Sequence, residues 1–364
     1  MVIKPLNVLA LYCLPSFESI ECACIKTDGI DIFEVITTRE YPLPPFLRVK
    51  LDLIDGKKIT NPDDKVLIDM VEDDTTNTII DILQNTISTL SEKPDLIGLE
   101  GPTIFHDAAQ KYTYQLGKGQ KIFEALHIPV MSHFHNADIL NGGLGHPLLA
   151  TYYHALASSM PKPALFIDIG FVTTFFSIGT LGEMRSFDAT VGLKMLGDFM
   201  KKHAGVATDY AGKCTACGRA DSKIVQNLMR HPFFDLLPPK HMPHDLFKDK
   251  QEHLEGLSVE DGAATIVLFM VESITKAVNT LLPLPFAQIV ICGEGTKNPT
   301  LVRLLKQALK QHAATAEVCD YPQKNDAAGI AFLAARCYYH LPITFPETTG
   351  VVAPMTGGKL YHEV

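Results

Sequence analysis

A pattern of strand, turn, strand and strand occurs twice in the chain, followed each time by helix–strand units. The first copy opens near Asn7 and the second near Ala164. Apolar segments of strand length, bounded by glycine and proline turns, mark both copies. The repeat predicts a duplicated α/β architecture with a cleft between two domains, at residues 1–130 plus 345–364 and 131–344. Ligands in such folds bind where strands end and helices begin.

Composition excludes several classes of function. The chain has 364 residues, with Lys+Arg 32 against Asp+Glu 41 and a net charge of -9. A nucleic-acid binder needs a basic face to displace counterions, so neither nucleic acid nor an anionic membrane surface is an expected partner. We also find no apolar run of about 18 residues, and therefore expect no transmembrane helix. The partner expected instead is a small molecule.

The cysteines and one long apolar segment predict structure rather than chemistry. Eight scattered cysteines indicate reduced thiols in a cytoplasmic protein, and the single Cys214-x-x-Cys217 pair is a weak zinc or redox signal. Val259–Leu281 predicts a helix for core or dimer packing, with Ser258 as its N-cap.

Acids and histidines at strand ends are the candidate functional residues. Asp188 ends the third strand of the second copy, and Glu100 ends the strand that begins at Leu96. Such acids point into a cleft, or else they cap a turn. His133, His135, His106 and Asp138 could form a cluster that titrates near pH 7, or a metal site. Alternatively, the histidines are solvated loop residues, and we assign no metal.

Motifs over nearly the whole chain resemble one family. They are Gly98-Leu-Glu-Gly-Pro-Thr103, Tyr114-Gln-Leu-Gly117, Asp138–Pro147, Ile167-Asp-Ile-Gly170, Phe187-Asp188 and Cys292-Gly-Glu-Gly-Thr-Lys-Asn-Pro299. Together they resemble the anhydro-N-acetylmuramic acid kinases and fungal levoglucosan kinases of the actin/hexokinase/Hsp70 superfamily. The resemblance implies two actin/hexokinase-like (ribonuclease H-like) domains and a homodimer.

The resemblance also implies roles for residues. Asp188 corresponds to a general base that activates water against an anhydrosugar carbon while ATP phosphorylates the released oxygen. With it we assign catalysis to His133 and His135, and substrate binding to Glu100, His106, Asp138 and Gly143. The nucleotide residues are Gly170, Gly293, Gly295, Thr296 and Asn298, although the loop at 293–298 could also be retained for purely structural reasons.

Several positions depart from the family pattern. Leu14-Pro-Ser-Phe-Glu-Ser19 replaces a Gly-Thr-Ser-x-Asp-Gly turn, so two glycines and one N–H donor are lost where a backbone phosphate cradle needs them. Leu14 and Phe17 add bulk. His241-Met-Pro-His-Asp245 replaces a sugar-side Ser-Thr-Gly-Arg-Glu, and His133-Phe-His-Asn136 replaces an arginine-rich run.

Three hypotheses follow. The first is that the protein has lost phosphotransfer and uses the cleft, with Asp188 as acid/base, on another small molecule. The second is that it is an active anhydrosugar kinase, and only then are ATP and Mg²⁺ expected. The third is a non-catalytic scaffold or metabolite sensor.

Overall fold

Two sheets organise the chain, one of six strands and one of five, beside a two-stranded hairpin. The computed structural model describes residues 3–243, 245–282, 285–312, 315–321 and 325–363, so that His244 of the stretch at 241–245 lies outside the described residues. The strands are β1 Leu6–Cys13, β2 Ser19–Thr27, β3 Ile32–Pro42, β4 Leu96–Glu100, β5 Thr103–Asp107, β6 Tyr112–Gln115, β7 Val130–Ser132, β8 Ala164–Ile169, β9 Val172–Ile178, β10 Met184–Val191, β11 Gln288–Cys292, β12 Glu317–Tyr321 and β13 Lys359–Tyr361.

Helices connect and cover these strands. The α-helices are α1 Pro45–Ile54, α2 Pro62–Ile87, α3 Gly119–Leu126, α4 Asn136–Leu140, α5 Ala150–Leu156, α6 Leu193–Ala204, α7 Lys213–Cys217, α8 Ser222–Leu228, α9 Val259–Leu281, α10 Pro299–His312, α11 Asp326–Tyr338 and α12 Pro346–Thr349. Short 3₁₀ turns lie at Ala157–Ser159, Tyr210–Gly212, Pro232–Asp235, Asp249–Leu254 and Glu294–Lys297.

Both large sheets have the same strand order. The first runs β3-β2-β1-β4-β7 with β13 added at the end, and the second runs β10-β9-β8-β11-β12. In the first sheet β1–β2–β3 is an antiparallel meander, whereas β4 and β7 run parallel to β1. The second sheet repeats this with β8, β9 and β10 antiparallel and β11 and β12 parallel to β8. The predicted duplicated α/β class is therefore confirmed.

The chain divides into two compact units at boundaries that differ from the predicted ones. Unit 1 comprises Met1–Leu156 and Asn325–Val364, and unit 2 comprises Ala157–Lys324. Because β7 pairs with β4, the segment after residue 130 stays with the first sheet. Helix α11 packs against β1, β2 and β4, so it belongs to unit 1 and not, as predicted, to the second domain.

Helix α9 is the central core element of unit 2. Ser258 accepts a hydrogen bond from the Asp261 backbone N–H and so caps the helix as predicted. By length and composition α9 could cross a membrane, whereas the sequence analysis expected no such helix. About two-thirds of its most apolar stretch, however, is buried inside the protein. Its packing against α6, α7, α10 and β10 is typical of a core helix in a soluble protein.

Glu21 ties the start of the chain to its end within unit 1. This buried β2 residue accepts hydrogen bonds from the backbone N–H groups of Asp326 and Ala327, at 2.6 and 3.3 Å. These amides lie at the positive N-terminal end of α11, where a carboxylate is favourable. The contact fixes α11 over the sheet.

Candidate functional site

Asp188 is a buried carboxylate held by three hydrogen-bond donors. It lies on the edge strand β10, where the pairing with β9 shifts register between Asp188 and Thr190. The Thr174 hydroxyl donates to Oδ1 at 2.8 Å. His241 Nδ1 and the Met242 backbone N–H donate to Oδ2 at 2.7 and 3.0 Å. Its orientation is therefore fixed from both sides.

The loop that brings His241 to Asp188 is anchored on β10. The Asp188 backbone N–H donates to the Lys240 carbonyl at 3.0 Å. The buried Lys240 side chain donates to the Phe233 carbonyl and lies 4.3 Å from the Phe233 ring centroid. Burial and the nearby Lys276 charge lower the pKa of Lys240 to about 8. A lysine held inside the loop thus sets the position of the adjacent histidine.

The turn between β8 and β9 is closed by the start of α6. The Gly170 N–H donates to the Val172 carbonyl, while the Gly170 carbonyl accepts from Leu193 N–H at 2.8 Å. A Cβ on Gly192 would come within 2.3 Å of the Gly170 carbonyl oxygen, so this approach requires glycine. The backbone N–H of Gly170, a residue predicted to bind nucleotide, is therefore already hydrogen-bonded within its own turn.

The predicted nucleotide loop packs against the end of β8. Gly293 has φ 84° and ψ 178°, and a Cβ there would lie 2.4 Å from Asp168 Oδ1. A Cβ on Gly295 would meet Ile169 Cγ2 at the same distance. The Thr296 hydroxyl donates to the Gly293 carbonyl at 2.7 Å. Both glycines are thus required for packing, whatever else they bind.

Asn298 ends that loop as the cap of α10. Its Oδ1 accepts from the backbone N–H groups of Thr300 and Leu301, both at 3.1 Å. Beside it, a groove of about 520 Å³ is lined by Thr296, Pro299, Val302, Arg303, Lys306, Gln307, Lys310 and Asp320. The Asn298 side chain therefore has a structural role, as the alternative interpretation of this loop expected, and its assignment to nucleotide binding stays a prediction.

Phe17 does not fill the turn between β1 and β2. It is 4% exposed and packs in the core of unit 1 with Leu43 and Leu47, with φ at 54°. Pro15 and Ser16 occupy the exposed tip. The expectation that Phe17 adds bulk on the phosphate side was wrong, because the left-handed backbone at this residue turns the ring inward.

A second carboxylate–histidine pair lies in unit 1. His135 Nε2 is 2.6 Å from Glu100 Oε1, and His135 Nδ1 is 2.7 Å from the Gly145 carbonyl oxygen. Burial lowers the pKa of His135, but the Glu100 charge and the two hydrogen bonds outweigh burial and raise it above the ordinary value. Gln115 donates to the same Glu100 oxygen. We call Glu100, Gln115 and His135 the polar cluster.

The polar cluster has spare hydrogen-bond acceptors. Glu100 Oε2 and Gln115 Oε1 are buried and have no hydrogen-bond partner among the described residues. The His106 and His146 rings lie beside His135, with centroids 6.1 and 4.3 Å from its ring. His106 Nε2 is 2.9 Å from the Leu144 carbonyl oxygen.

Asp138 orders the glycine-rich loop. Its Oδ2 accepts from the Gly145 N–H at 2.7 Å and its Oδ1 from the Thr349 hydroxyl at 2.6 Å. A Cβ on Gly143 would overlap the Asp138 carboxylate, at 2.1 Å from Oδ2. Asp138 and Gly143, both predicted to bind substrate, are thus tightly packed against each other.

The histidines are not solvated loop residues, which was the alternative interpretation. His135 is 3% exposed. His133, with φ 62°, lies 2.6 Å from the Ser132 hydroxyl, and burial lowers its pKa. His133 and His135 belong to unit 1 and Asp188 to unit 2, so their joint action stays a prediction.

The structure gives no support to a metal site. Among the described ranges, no group of three or more His, Cys, Asp or Glu side chains could hold a metal ion. Cys214 and Cys217 lie on the short helix α7, half-buried and exposed respectively, as free thiols.

Sequence reasoning missed several contributors to these sites. His241 was noted as a departure and not as a partner of Asp188, 53 positions away. Gln115 and Thr349 were also missed. Gln115 lies in the family motif Tyr114-Gln-Leu-Gly117, and this motif could have indicated it as a site residue. No sequence pattern linked Thr349 to Asp138.

The repeated sheet, with Asp188 on the last strand of the second meander, is typical of the two-domain actin/hexokinase-like fold. More narrowly, the sequence profile of the anhydro-N-acetylmuramic acid kinases matches residues 7–363, and the chain belongs to that family.

Two named relatives and one solved structure are similar to this chain over most of its length. The chain is 30% identical to the anhydro-N-acetylmuramic acid kinase of Acidiphilium cryptum over 358 residues, 98% of each chain. It is 36% identical to that of Methylobacterium nodulans over 268 residues, 72% of this chain and 71% of the relative. The solved ethanolamine utilization protein EutJ of Carboxydothermus hydrogenoformans is 11% identical over 91% of this chain and 90% of its own, with a TM-score of 0.44.

Proposed function

We propose that the protein is an ATP-dependent anhydrosugar kinase. The observation that carries the proposal is that a chain matching the family over residues 7–363 keeps a buried, triply hydrogen-bonded carboxylate at Asp188. Named relatives of similar length are anhydro-N-acetylmuramic acid kinases. A cytoplasmic location, where ATP is supplied, and a homodimer accompany this proposal.

The reaction is hydrolytic opening coupled to phosphorylation. A water molecule attacks the anomeric carbon of the anhydrosugar and gives up a proton to the acid/base centre around Asp188. The bridging C–O bond breaks, and the released oxygen takes the γ-phosphoryl group of ATP, so that ADP leaves. A positioned base contributes about 10²–10⁴-fold to such a step.

The turn between β1 and β2 in unit 1 is compatible with the phosphate side of the reaction. Because Phe17 packs into the core, its ring does not occupy the turn that it was expected to block. In the same turn Glu18 stands where the family has an acid, and its side chain is 42% exposed. Its carboxylate is the oxygen donor that Mg²⁺ prefers, and the ion would neutralise phosphate charge. The loss of turn glycines at Leu14 and Ser19 is the feature that favours the alternative, lost phosphotransfer.

The test is sugar-dependent release of ADP. Purified protein is given Mg²⁺ and ATP with 1,6-anhydro-N-acetylmuramic acid, with levoglucosan, or with neither sugar. We expect ADP release with one of the sugars, and a roughly 10²–10⁴-fold loss in Asp188→Asn. The matched control is Arg185→Ala, an exposed position on the same strand, which is expected to retain activity.

The opposite result would favour lost phosphotransfer. It would be the absence of ADP release with either sugar, together with a melting temperature that ATP does not raise. A ligand that binds only the native state must raise that temperature.

A further inference from the structure

We propose that the polar cluster of unit 1 accepts a hydrogen bond from a hydroxyl group of the substrate, and that it thereby selects an uncharged anhydrosugar over one that bears a carboxylate. This rests on the proposed function and deepens it, because it names the class of sugar. Two buried side-chain oxygens, Glu100 Oε2 and Gln115 Oε1, are the groups that would bind the hydroxyl.

The polar cluster lies at the edge of the sheet where α/β folds bind their ligands. Glu100 is the last residue of β4, and His135 follows the end of β7 at Ser132. Because β4 and β7 run parallel, their carboxyl ends bring these two residues to the same edge. Gln115 ends β6 and reaches Glu100 from the β5–β6 hairpin. The whole cluster belongs to unit 1.

Both ring nitrogens of His135 are occupied by the protein. Nε2 is 2.6 Å from Glu100 Oε1, and Nδ1 is 2.7 Å from the Gly145 carbonyl oxygen. Both partners are acceptors and a neutral imidazole has one N–H, so the ring donates to both only as an imidazolium. Burial opposes this charge, but Glu100 and the two hydrogen bonds outweigh burial and raise the pKa of His135. The positive charge of the cluster is therefore already paired with Glu100.

The groups of the cluster that can still bind a ligand are acceptors. Glu100 Oε1 accepts from His135 and from the Gln115 amide, whereas Oε2 has no donor in the part of the chain that the structure describes. The Gln115 amide is oriented by donating to Glu100, which leaves its own Oε1 as an acceptor. Glu100 and Gln115 are 5% and 7% exposed, so both oxygens are shielded from bulk solvent. A buried acceptor without a donor is unfavourable, and a ligand that supplies the donor removes that cost.

Two free acceptors favour a hydroxyl group and disfavour a carboxylate. A sugar hydroxyl can donate to either oxygen, whereas an ionised carboxylate has no proton to donate and carries the same charge as Glu100. A site that hydrogen-bonds a hydroxyl discriminates strongly against a group that leaves its buried atoms unpaired. Levoglucosan has hydroxyl groups and no charge, whereas 1,6-anhydro-N-acetylmuramic acid bears a carboxylate.

The histidine rings of this region do not alter that preference. His135 is bonded to Glu100 and Gly145. His106 lies 3.4 Å from the Thr113 hydroxyl through Nδ1 and 2.9 Å from the Leu144 carbonyl oxygen through Nε2. To pair with either ring, a substrate carboxylate would have to displace a hydrogen bond within the protein, whereas a hydroxyl that binds Glu100 Oε2 displaces none.

The first test is binding of the two sugars to the wild-type protein, measured by isothermal titration calorimetry without ATP. The probes are levoglucosan and 1,6-anhydro-N-acetylmuramic acid. We expect levoglucosan to bind more tightly by about tenfold or more, the size of one hydrogen bond to a charged group. An affinity for the acid that equals or exceeds the affinity for levoglucosan would overturn the proposal, as would no binding of levoglucosan.

The second test changes the free acceptor into a donor with little change of shape. In Glu100→Gln the His135 and Gln115 donors still require an oxygen at the Oε1 position, so the new NH₂ group takes the place of Oε2. A hydroxyl can accept from this group, but a carboxylate now can as well. We therefore expect the preference for levoglucosan over the acid to fall by about tenfold.

The matched control is Glu124→Gln, the same substitution at an exposed position of α3 in unit 1, which is expected to keep the wild-type preference. Thermal denaturation checks the folding of both variants. A folded Glu100→Gln protein with the wild-type ratio of affinities would contradict the proposal. If that variant does not fold, the comparison of the two sugars on the wild type remains decisive.

Binding and turnover together separate the class of sugar from the proposed function. ADP release with the acid and not with levoglucosan would keep the kinase and overturn the selection of an uncharged sugar. Preferential binding of levoglucosan without ADP release would support the hydroxyl site and overturn phosphotransfer.

Discussion

The two units each contain a carboxylate bonded to an imidazole, but the pairs differ in exposure. In unit 1 the Glu100 and His135 side chains are 6% and 4% exposed, so the whole pair is enclosed. In unit 2 Asp188 is enclosed at 3%, while His241 is 25% exposed. The contact distances, 2.6 and 2.7 Å, are nearly equal.

The difference teaches that exposure, and not pair geometry, separates a structural pair from a candidate proton-transfer site. An enclosed pair loses hydration on both groups, and each partner then depends on the other for charge compensation. A pair with one partner at the surface can exchange a proton with solvent or substrate. Glu100 Oε2 and Gln115 Oε1 in the polar cluster nevertheless remain able to accept a hydrogen bond, for example from a hydroxyl group.

The largest expected effect is on stability when each pair is broken. His135→Leu leaves the Glu100 carboxylate buried without its cation, and we expect a loss of about 3–5 kcal/mol in the free energy of unfolding. His241→Leu is expected to cost about 1–2 kcal/mol, because water can replace a partly exposed ring as a donor. Urea denaturation at constant pH measures both. Equal losses would remove the distinction drawn from exposure.

A smaller effect is expected in the glycine loops of the two units. Gly293→Ala places a Cβ against Asp168 in a backbone region open essentially to glycine, and should cost about 3 kcal/mol. The matched control is Gly142→Ala in unit 1, with φ 88° but nothing within 4 Å of the new Cβ, at about 1 kcal/mol. Denaturation midpoints compare them. If Gly142→Ala were the costlier change, the tight packing of the loop in unit 2 would be disproved.

The smallest effect is the pH dependence that His135 gives unit 1. The pKa of His135 is higher in the folded protein than in the unfolded chain. Its contribution to the free energy of unfolding is therefore complete below the unfolded pKa of about 6.5, and it is lost as the pH rises through the folded pKa. The slope is at most about 1.4 kcal/mol per pH unit for one proton. The measurement is the unfolding free energy of wild type and His135→Gln between pH 6 and 9. His133, whose pKa burial lowers, acts with the opposite sign in both proteins, so its contribution through burial cancels in the difference between them. A variant whose stability falls as steeply as wild type would contradict the assignment.

Much of the fold could be predicted because its signals are local. The periodicity and cap of α9 gave its observed bounds, Val259–Leu281. Helix α1 is hard to predict because prolines at 42, 44 and 45 usually break regular structure; Pro45, however, stands in the first turn of the helix, where proline is tolerated. The β5–β6 hairpin was missed as well.

The site was less predictable, because its contacts join distant segments. Glu100 could be found as an acid at a strand end, whereas Asp188, predicted to end its strand, lies inside β10, which continues to Val191. Their partners His241 and His135 lie 53 and 35 positions away, and no periodicity encodes such pairs. The direction of the Phe17 side chain depends on its positive φ angle. Residues other than glycine rarely adopt such an angle, so the sequence gives no signal for it.

The hydrogen bonds from α11 to Glu21 bear on biosynthesis. Unit 2 is an uninterrupted segment, whereas unit 1 needs residues beyond 324 to cover its sheet. On the ribosome, where domains fold as their residues emerge, unit 2 can therefore reach its final state before unit 1 does. Within this sequence, the strands of unit 1 that precede residue 157 therefore stay without α11 until the chain beyond residue 324 has been made.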